Sequence, residues 1–317
     1  MPGLLSRFSF LVLALLAATD ALSERPGGNE VFLPSPQPPI NIIVVGGSSG
    51  MGKAAAIACV KRGGKALIVS RSEEKLARAA EEIQSYAPQR DTSCEDSDDE
   101  STASMVTTAV LDASDEEAVE LFSKTLPSVM GDETWDGLVI SAAGSAPHGA
   151  MEELETSKTR DLFESKFWSA YHCAKYIGPK LSEGSGVVFV AGVLNRRPGK
   201  NCVPLASTNG ALEGLTRSLA LEWGPRLRVN CLSPGFCDTE RFDRMDPERK
   251  EAMLANTADS LPLKRTGVPE DMGEGIYYLL TAGFCTGVVL DVDGGHGIRQ
   301  YANAQSDPMR QSVGTKL

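Results

Sequence analysis

The residues best suited to chemistry lie in one glycine-rich stretch, VVGGSSGMGK, at positions 44–53. Its last glycine and lysine complete the G-x-x-x-x-G-K pattern of a nucleoside-triphosphate loop, while Gly46, Gly50 and Gly52 form the G-x-x-x-G-x-G pattern of a dinucleotide loop. A triphosphate loop carries Ser or Thr directly after the lysine, because that hydroxyl holds magnesium, and here the residue is Ala54. The stretch therefore predicts a loop that holds the pyrophosphate of a dinucleotide at a helix N-terminus.

A second candidate for ligand contact is Arg71, which follows the second predicted strand. An acidic residue at this position would accept a hydrogen bond from a ribose 2′-hydroxyl, whereas an arginine suits a 2′-phosphate. Arg71 therefore favours NADP(H) over NAD(H). The alternative interpretation of Arg71 is an exposed arginine at the start of a helix.

These residues need a scaffold, and the chain supplies one in which short apolar strands alternate with helices. Apolar strands in strict alternation with helices are typical of a parallel sheet that is covered on both faces. The sequence predicts an α/β fold: a single Rossmann-type, doubly wound parallel sheet flanked by helices. The expected strands are 42–45, 66–69, 106–111, 138–140, 187–190, 227–232 and 288–292, and the expected helices are 52–60, 73–83, 115–126, 159–181, 208–223 and 272–280.

Further motifs follow the glycine loop in a fixed order. Ala142-Ala143-Gly144 comes after the fourth strand, Ser233-Pro234-Gly235 with Thr239 after the sixth, and Gly267-x-Pro269-Glu270-Asp271 before the last helix. Together these motifs resemble the short-chain dehydrogenase/reductase family over residues 40–295. The resemblance implies cofactor contacts from Gly46, Ser48, Ser49, Gly50, Met51, Gly52, Arg71, Asp112, Ala142, Gly144, Asn209, Pro234, Gly235 and Thr239.

The resemblance fails at the catalytic positions. Members of this family that reduce carbonyls use a serine, a tyrosine, a lysine and an asparagine, and the tyrosine gives the proton to the alkoxide. The matching positions here are Gly192, Leu205, Asn209 and Lys166. Asn209 is still able to hydrogen-bond a ribose hydroxyl, and Lys166 either restores a positive charge near the site or lies on the surface of its helix. His148, in the loop after the fourth strand, is a third candidate, as an acid.

A literal Y-x-x-x-K sequence runs from Tyr171 to Lys175. It lies inside the long fourth helix and before the fifth strand, on the wrong side of the serine position. We therefore expect Tyr171 to be a packing residue rather than a proton donor.

These observations predict an NADP(H)-dependent oxidoreductase that acts on a small carbonyl compound, an alcohol or an activated alkene. The loss of a general acid costs about 10²–10⁴-fold in rate rather than all activity, so an enzyme remains the first interpretation. The alternative is a pseudoenzyme that binds NADP(H) and acts as a sensor or partner subunit. We expect a homo-oligomer that associates through the long helices, and a loop over residues 236–262 that covers the substrate pocket.

Composition narrows the classes of partner. The net charge of −11 argues against a nucleic-acid partner. The chain has 7 cysteines but no C-x-x-C pair, so we expect no metal site.

The chain begins with a pattern typical of a secretory signal, in which an apolar run follows Arg7 and small residues precede a cleavage point after Ala21. We expect a signal peptide at 1–21, a proline-rich linker at 22–39, the Rossmann domain at 40–300 with an acidic, exposed insert at 88–104, and a C-terminal tail at 301–317. This signal implies the secretory pathway or secretion, with no membrane association after cleavage. An uncleaved anchor and a two-part plastid signal are the alternatives.

Overall fold

The computed structural model describes residues 38–88, 104–130 and 134–298, and the side chains of 127–130 are not described. The predicted signal peptide, nearly all of the linker and of the acidic insert, and the C-terminal tail lie outside these residues. Among the described helices, none has both the length and the apolar composition needed to cross a bilayer.

All strands of the described chain belong to one parallel sheet in the order β3-β2-β1-β4-β5-β6-β7. Their apolar and often β-branched residues are buried on both faces at the centre of the sheet, as a parallel sheet covered by helices requires. This confirms the predicted α/β fold. The strands are β1 (Ile42–Val45), β2 (Ala66–Ser70), β3 (Val106–Val110), β4 (Gly137–Ile140), β5 (Gly186–Val190), β6 (Arg228–Pro234) and β7 (Val289–Val292).

Helices cover both faces of the sheet and enclose two cores. One core lies between the sheet and α1, α2 and α8, and the other between the sheet and α3, α5 and α6. The helices are α1 (Gly50–Val60), α2 (Glu73–Gln84), α3 (Glu116–Met130), α4 (Thr156–Phe163), α5 (Ser169–Ile177), α6 (Val203–Trp223), α7 (Pro247–Ser260) and α8 (Pro269–Thr281).

The sheet order creates a crevice between β1 and β4. From β1 the chain proceeds to β2 and β3 on one side, and from β4 to β5, β6 and β7 on the other. The loops that leave the carboxyl ends of β1 and β4 therefore diverge, and ligands of open α/β sheets bind at such a point.

The predicted fourth helix is not one regular helix. Between α4 and α5 the backbone forms a π-helical segment, Glu164–Trp168, and a 3-10 turn, Gly178–Lys180, follows α5. A π turn changes the direction in which a side chain leaves the helix, and it turns Lys166 inward, where 7% of the residue is exposed.

Two other expectations need correction. Helix α6 begins at Val203 rather than at 208, because Pro204 fits the first turn of a helix, so Leu205 also lies in that turn. Segment 236–262 is not only a loop, since it contains α7. The signal was the pair Asp246-Pro247, in which the Asp246 carboxylate caps the helix by accepting the N–H of Arg249 at 3.0 Å.

The cysteines of the described chain are free thiols. Burial raises the pKa of Cys59, Cys173, Cys231 and Cys237 to about 12. These thiols act as small apolar core residues.

Candidate functional site

The crevice between β1 and β4 contains the glycine loop, which folds closely against the end of β4. A Cβ atom on Gly46 would lie 2.7 Å from the Ala142 nitrogen, and one on Gly52 would lie 2.3 Å from the Gly46 oxygen. The Ser141 hydroxyl lies 3.3 Å from the carbonyl oxygens of both Val45 and Gly46, and donates to this pair. Only glycine fits at positions 46 and 52 of this turn, which brings the N-terminus of α1 to the crevice.

The first N–H groups of α1 have no partners within the helix, and one of them holds a carboxylate. The Gly50 N–H donates to Glu240 Oε2 at 2.8 Å, while Glu240 Oε1 lies 2.8 Å from the ammonium of Lys53. Lys53 also pairs with Glu82 at 2.8 Å. Burial opposes ionisation of Glu240, but the hydrogen bond from Lys53 lowers its pKa below the usual value. An anion therefore sits at the helix N-terminus, where the sequence predicts a phosphate.

The other predicted loop residues surround the same helix start. Ser48 and Ser49 precede α1, and Met51 in its first turn packs against the core. Thr239 Cγ2 would lie 3.5 Å from a Cβ on Gly50, so Thr239 and the glycine loop face each other.

Arg71 and Asp112 lie after β2 and β3, at the same edge of the sheet. Arg71 is exposed and forms no hydrogen bond or ion pair with the residues that the structure describes. Asp112 accepts the hydroxyl of Ser114 at 2.6 Å, and this bond, with a smaller contribution from the charge of Arg71, lowers the pKa of Asp112. The Arg71 guanidinium is therefore available for an anion, as the sequence predicts.

Two further predicted contact segments close the crevice. The Gly144 N–H donates to the Ser165 hydroxyl at 3.0 Å, which ties the loop after β4 to the π-helical segment. Pro234 ends β6, and Gly235 donates to the Val292 carbonyl at 3.0 Å. Both segments lie at the carboxyl edge of the sheet.

Lys166 reaches the end of β5 from the π-helical segment. Its ammonium donates to the Ala191 carbonyl at 3.0 Å, inside the protein. Burial lowers the pKa of Lys166 to about 8; the Cys231 thiol opposes this shift, and the charge of Arg241 adds to it. The structure therefore excludes the interpretation of Lys166 as a surface lysine.

Asn209 reaches the same strand end from α6. It is 1% exposed, and its Oδ1 atom has no hydrogen-bond partner among the described residues. A Cβ on Gly192 would lie 2.8 Å from Asn209 Nδ2, so the side chain of Asn209 occupies the room that a serine at 192 would need. Lys166 and Asn209 thus contact two consecutive residues, Ala191 and Gly192, at the end of β5.

His148 is not among these residues. It is exposed, and its Nδ1 atom lies 3.6 Å from the thiol of Cys202, directly before α6. Tyr171 is 39% exposed and contacts the ring of Trp168, and Lys175 pairs with Glu116 at 2.7 Å. Tyr171 therefore packs against other aromatic rings, at a partly exposed position away from the crevice.

Two groups of this site, a carboxylate and a backbone carbonyl, could not be found from the sequence. Glu240 lies directly after Thr239, but nothing in its neighbourhood in the sequence shows that it reaches Gly50. The Ala191 carbonyl is a backbone group and carries no sequence signal. Within the described ranges, no group of three or more His, Cys, Asp or Glu residues is arranged to hold a metal ion.

Comparison with known proteins finds a family and several individual proteins that match most of this chain. Residues 45–297 match the family described as Enoyl-(Acyl carrier protein) reductase. The chain is 29% identical over 260 residues to the short-chain dehydrogenase/reductase ATR9 of Stachybotrys chlorohalonatus, covering 80% of this chain and 96% of that protein. It is 29% identical over 270 residues to a probable 2,4-dienoyl-CoA reductase of Bacillus subtilis, covering 82% of this chain and 97% of that one.

A solved structure shares the architecture. A small-chain dehydrogenase in complex with NADPH aligns with a TM-score of 0.63 and 27% sequence identity, over 81% of this chain and 98% of that chain.

The lowered pKa of Lys166 has a consequence for stability. The folded protein holds this lysine with a pKa of about 8, against 10.5 ordinarily, so the unfolded chain binds more protons between these values. Burying the charged ammonium of Lys166 therefore destabilises the folded protein. This effect is fully present below pH 8 and disappears as the pH rises towards 10.5. At about 1.4 kcal/mol per pKa unit it amounts to roughly 3 kcal/mol.

We therefore expect Lys166→Met to stabilise the protein at neutral pH. Allowing about 1 kcal/mol for the lost hydrogen bond to Ala191, the melting temperature should rise by about 4–8 °C at pH 7. The gain should vanish near pH 10 in thermal melts of both proteins. Lys158→Met, which removes an exposed, ion-paired lysine of α4, is the control and should show no such pH dependence. A melting temperature that Lys166→Met lowers equally at every pH would contradict the burial argument.

Proposed function

Because the chain belongs to the short-chain dehydrogenase/reductase family, we propose that it is an NADP(H)-dependent oxidoreductase that acts on a small carbonyl compound, an alcohol or an activated alkene. The relative solved in complex with NADPH supports the choice of cofactor. The observation that carries the proposal is the guanidinium of Arg71, which has no described hydrogen-bond partner, after the strand that pairs with β1 and near a loop with no room for a Cβ atom at Gly46 and Gly52.

The residues present fit a dinucleotide. The start of α1 already accommodates an anion, the Glu240 carboxylate, so it suits a pyrophosphate. Arg71 would hold the 2′-phosphate, and Asp112 would lie near the adenine. The unpartnered Oδ1 atom of Asn209 would accept a ribose hydroxyl, which removes the cost of a buried polar atom without a hydrogen bond.

Reduced nicotinamide supplies a hydride to an electrophilic carbon, and the protein orients it and provides the proton. The second candidate function is an NADP(H)-binding pseudoenzyme that acts as a sensor or partner subunit. It is favoured by Leu205 and Gly192, because leucine cannot give a proton and glycine has no side chain to orient a carbonyl. Two assays distinguish the oxidoreductase from the pseudoenzyme. One measures NADPH oxidation with a panel of ketones, aldehydes and enones, and the other measures NADP⁺ reduction with a panel of alcohols. Turnover of any substrate supports the oxidoreductase, and tight NADPH binding without turnover supports the pseudoenzyme.

We expect Arg71→Ala to weaken NADPH binding about 10–100-fold and NADH binding less than about threefold, because only NADPH carries the phosphate that the guanidinium would bind. Titration calorimetry with both dinucleotides measures the difference. Arg78→Ala, which removes an exposed arginine of the helix α2 that follows Arg71, is the matched control and should change neither affinity. Equal losses for NADPH and NADH would contradict the assignment of Arg71.

We also expect Glu240→Gln to strengthen NADPH binding by about two- to fivefold. Glu240 and the pyrophosphate would compete for the Gly50 N–H, and a partly exposed ion pair is worth up to about 1 kcal/mol. Glu82→Gln is the control, because Glu82 also pairs with Lys53 but does not contact Gly50. Weaker binding by the Glu240 variant would show that this carboxylate supports the cofactor rather than opposing it.

A further inference from the structure

The end of β5 is approached by two polar side chains from different helices. Lys166 of the π-helical segment bonds to the Ala191 carbonyl, and Asn209 of α6 faces Gly192, the next residue. Both side chains are almost fully buried. The loops of the cofactor crevice end at the same edge of the sheet, so this pair lies where the fold brings ligand-binding residues together.

Lys166 lacks the partners that a structural lysine in a protein interior needs. An ammonium has three donor hydrogens, and the only described acceptor for Lys166 is the Ala191 carbonyl. No described carboxylate lies within ion-pair distance of it: Glu213 of α6, which is also buried, pairs with Arg196 at 3.2 Å and with Arg217 at 3.5 Å. Buried lysines are rare unless they are paired, and this one lies at the carboxyl edge of the sheet, where open α/β sheets bind their ligands.

We propose that the Lys166 ammonium is the catalytic acid of the reduction, held at the end of β5 by the Ala191 carbonyl and able to direct its remaining N–H groups at a substrate oxygen. This inference rests on the proposed oxidoreductase function. It assigns proton donation to the π-helical segment rather than to the first turn of α6, where Leu205 stands. The substrate class is a ketone, an aldehyde or an enone.

The proton balance of the step is simple. As the substrate carbon gains a C–H bond and the electron pair of a hydride from reduced nicotinamide, which is thereby oxidised, the C=O π electrons move to oxygen, an N–H bond of Lys166 breaks and an O–H bond forms. In an enone the C=C and C=O electrons shift together, and the resulting enol becomes the ketone. Lys166 is left as a neutral amine and recovers a proton from water, so one proton is consumed in each reduction.

The surroundings suit this role. Burial lowers the pKa of Lys166 to about 8, so the ammonium predominates at neutral pH yet releases its proton more readily than an exposed lysine would. Two other titratable groups lie near it: the Cys231 thiol of β6, which would raise the pKa of Lys166 only as a thiolate, and Arg241 of segment 236–262, whose charge lowers it. The Glu164 side chain of the same π-helical segment is exposed.

The test compares the wild type with Lys166→Met, Lys166→Arg and the control Lys158→Met. Arginine can still donate to the Ala191 carbonyl but does not release a proton in this pH range, so it separates hydrogen bonding from acid catalysis. Fluorescence titration should show NADPH affinities within about threefold of one another. Single-turnover oxidation of saturating NADPH is then followed with ketones, aldehydes and enones between about pH 6 and 10.

We expect the wild-type and Lys158→Met rates to fall above about pH 8, where Lys166 loses its proton. Both Lys166 variants should be slower by about 10²–10⁴-fold and should lack that fall. As a readout independent of turnover, ¹⁵N NMR should titrate the Lys166 amine with NADP⁺ bound, its signal assigned by its absence from Lys166→Met. The NMR midpoint should coincide with the kinetic one.

Three results would overturn the inference alone: wild-type activity in Lys166→Met, wild-type activity in Lys166→Arg, or a Lys166 amine that stays charged beyond pH 10. A wild type that binds NADPH but reduces no member of the panel would instead overturn the oxidoreductase proposal, and this inference with it.

Discussion

The constraint on which the site depends is the lack of space between the glycine loop and the end of β4. Gly52, Gly46 and Ser141 approach so closely that a Cβ on Gly52 would lie 2.4 Å from the Ser141 hydroxyl oxygen. This approach fixes where α1 begins and points its free N–H groups into the crevice between β1 and β4. Thr239 faces this helix start, and Arg71 follows β2, the strand that pairs with β1.

A second constraint links the residues that replace the family's catalytic set. Asn209 occupies the room that a serine side chain at 192 would need, so Gly192 and Asn209 are complementary in shape. Lys166 depends in turn on the π turn, which directs it toward the Ala191 carbonyl. If only one of these positions were changed back to the family's residue, the new side chain would not fit the neighbours that surround the present one. Packed interiors adjust poorly to a change in one side chain.

Much of this architecture could be predicted, because apolar strands and glycine spacing are local signals. The sheet and the glycine loop fall where the sequence places them, and Arg71 is as free as the 2′-phosphate hypothesis requires. The burial of Lys166 could not be predicted, since amphipathic spacing does not distinguish an α turn from a π turn. The contact between Glu240 and Gly50 joins residues 190 positions apart, and local sequence carries no record of it. Helix α7 does have a local signal, the Asp246-Pro247 pair at its start.

The buried thiols of the two cores also bear on the redox conditions in which this domain is able to persist. Burial raises the pKa of Cys59, Cys173, Cys231 and Cys237 to about 12, so these thiols stay protonated at neutral pH. Thiol–disulfide exchange requires the thiolate and access to it, so glutathione and oxidases act slowly on these cysteines. The described fold contains no disulfide that a reducing compartment would break, and its core thiols resist an oxidising one. Packing in the core thus protects these four thiols from exchange in a reducing and in an oxidising compartment alike.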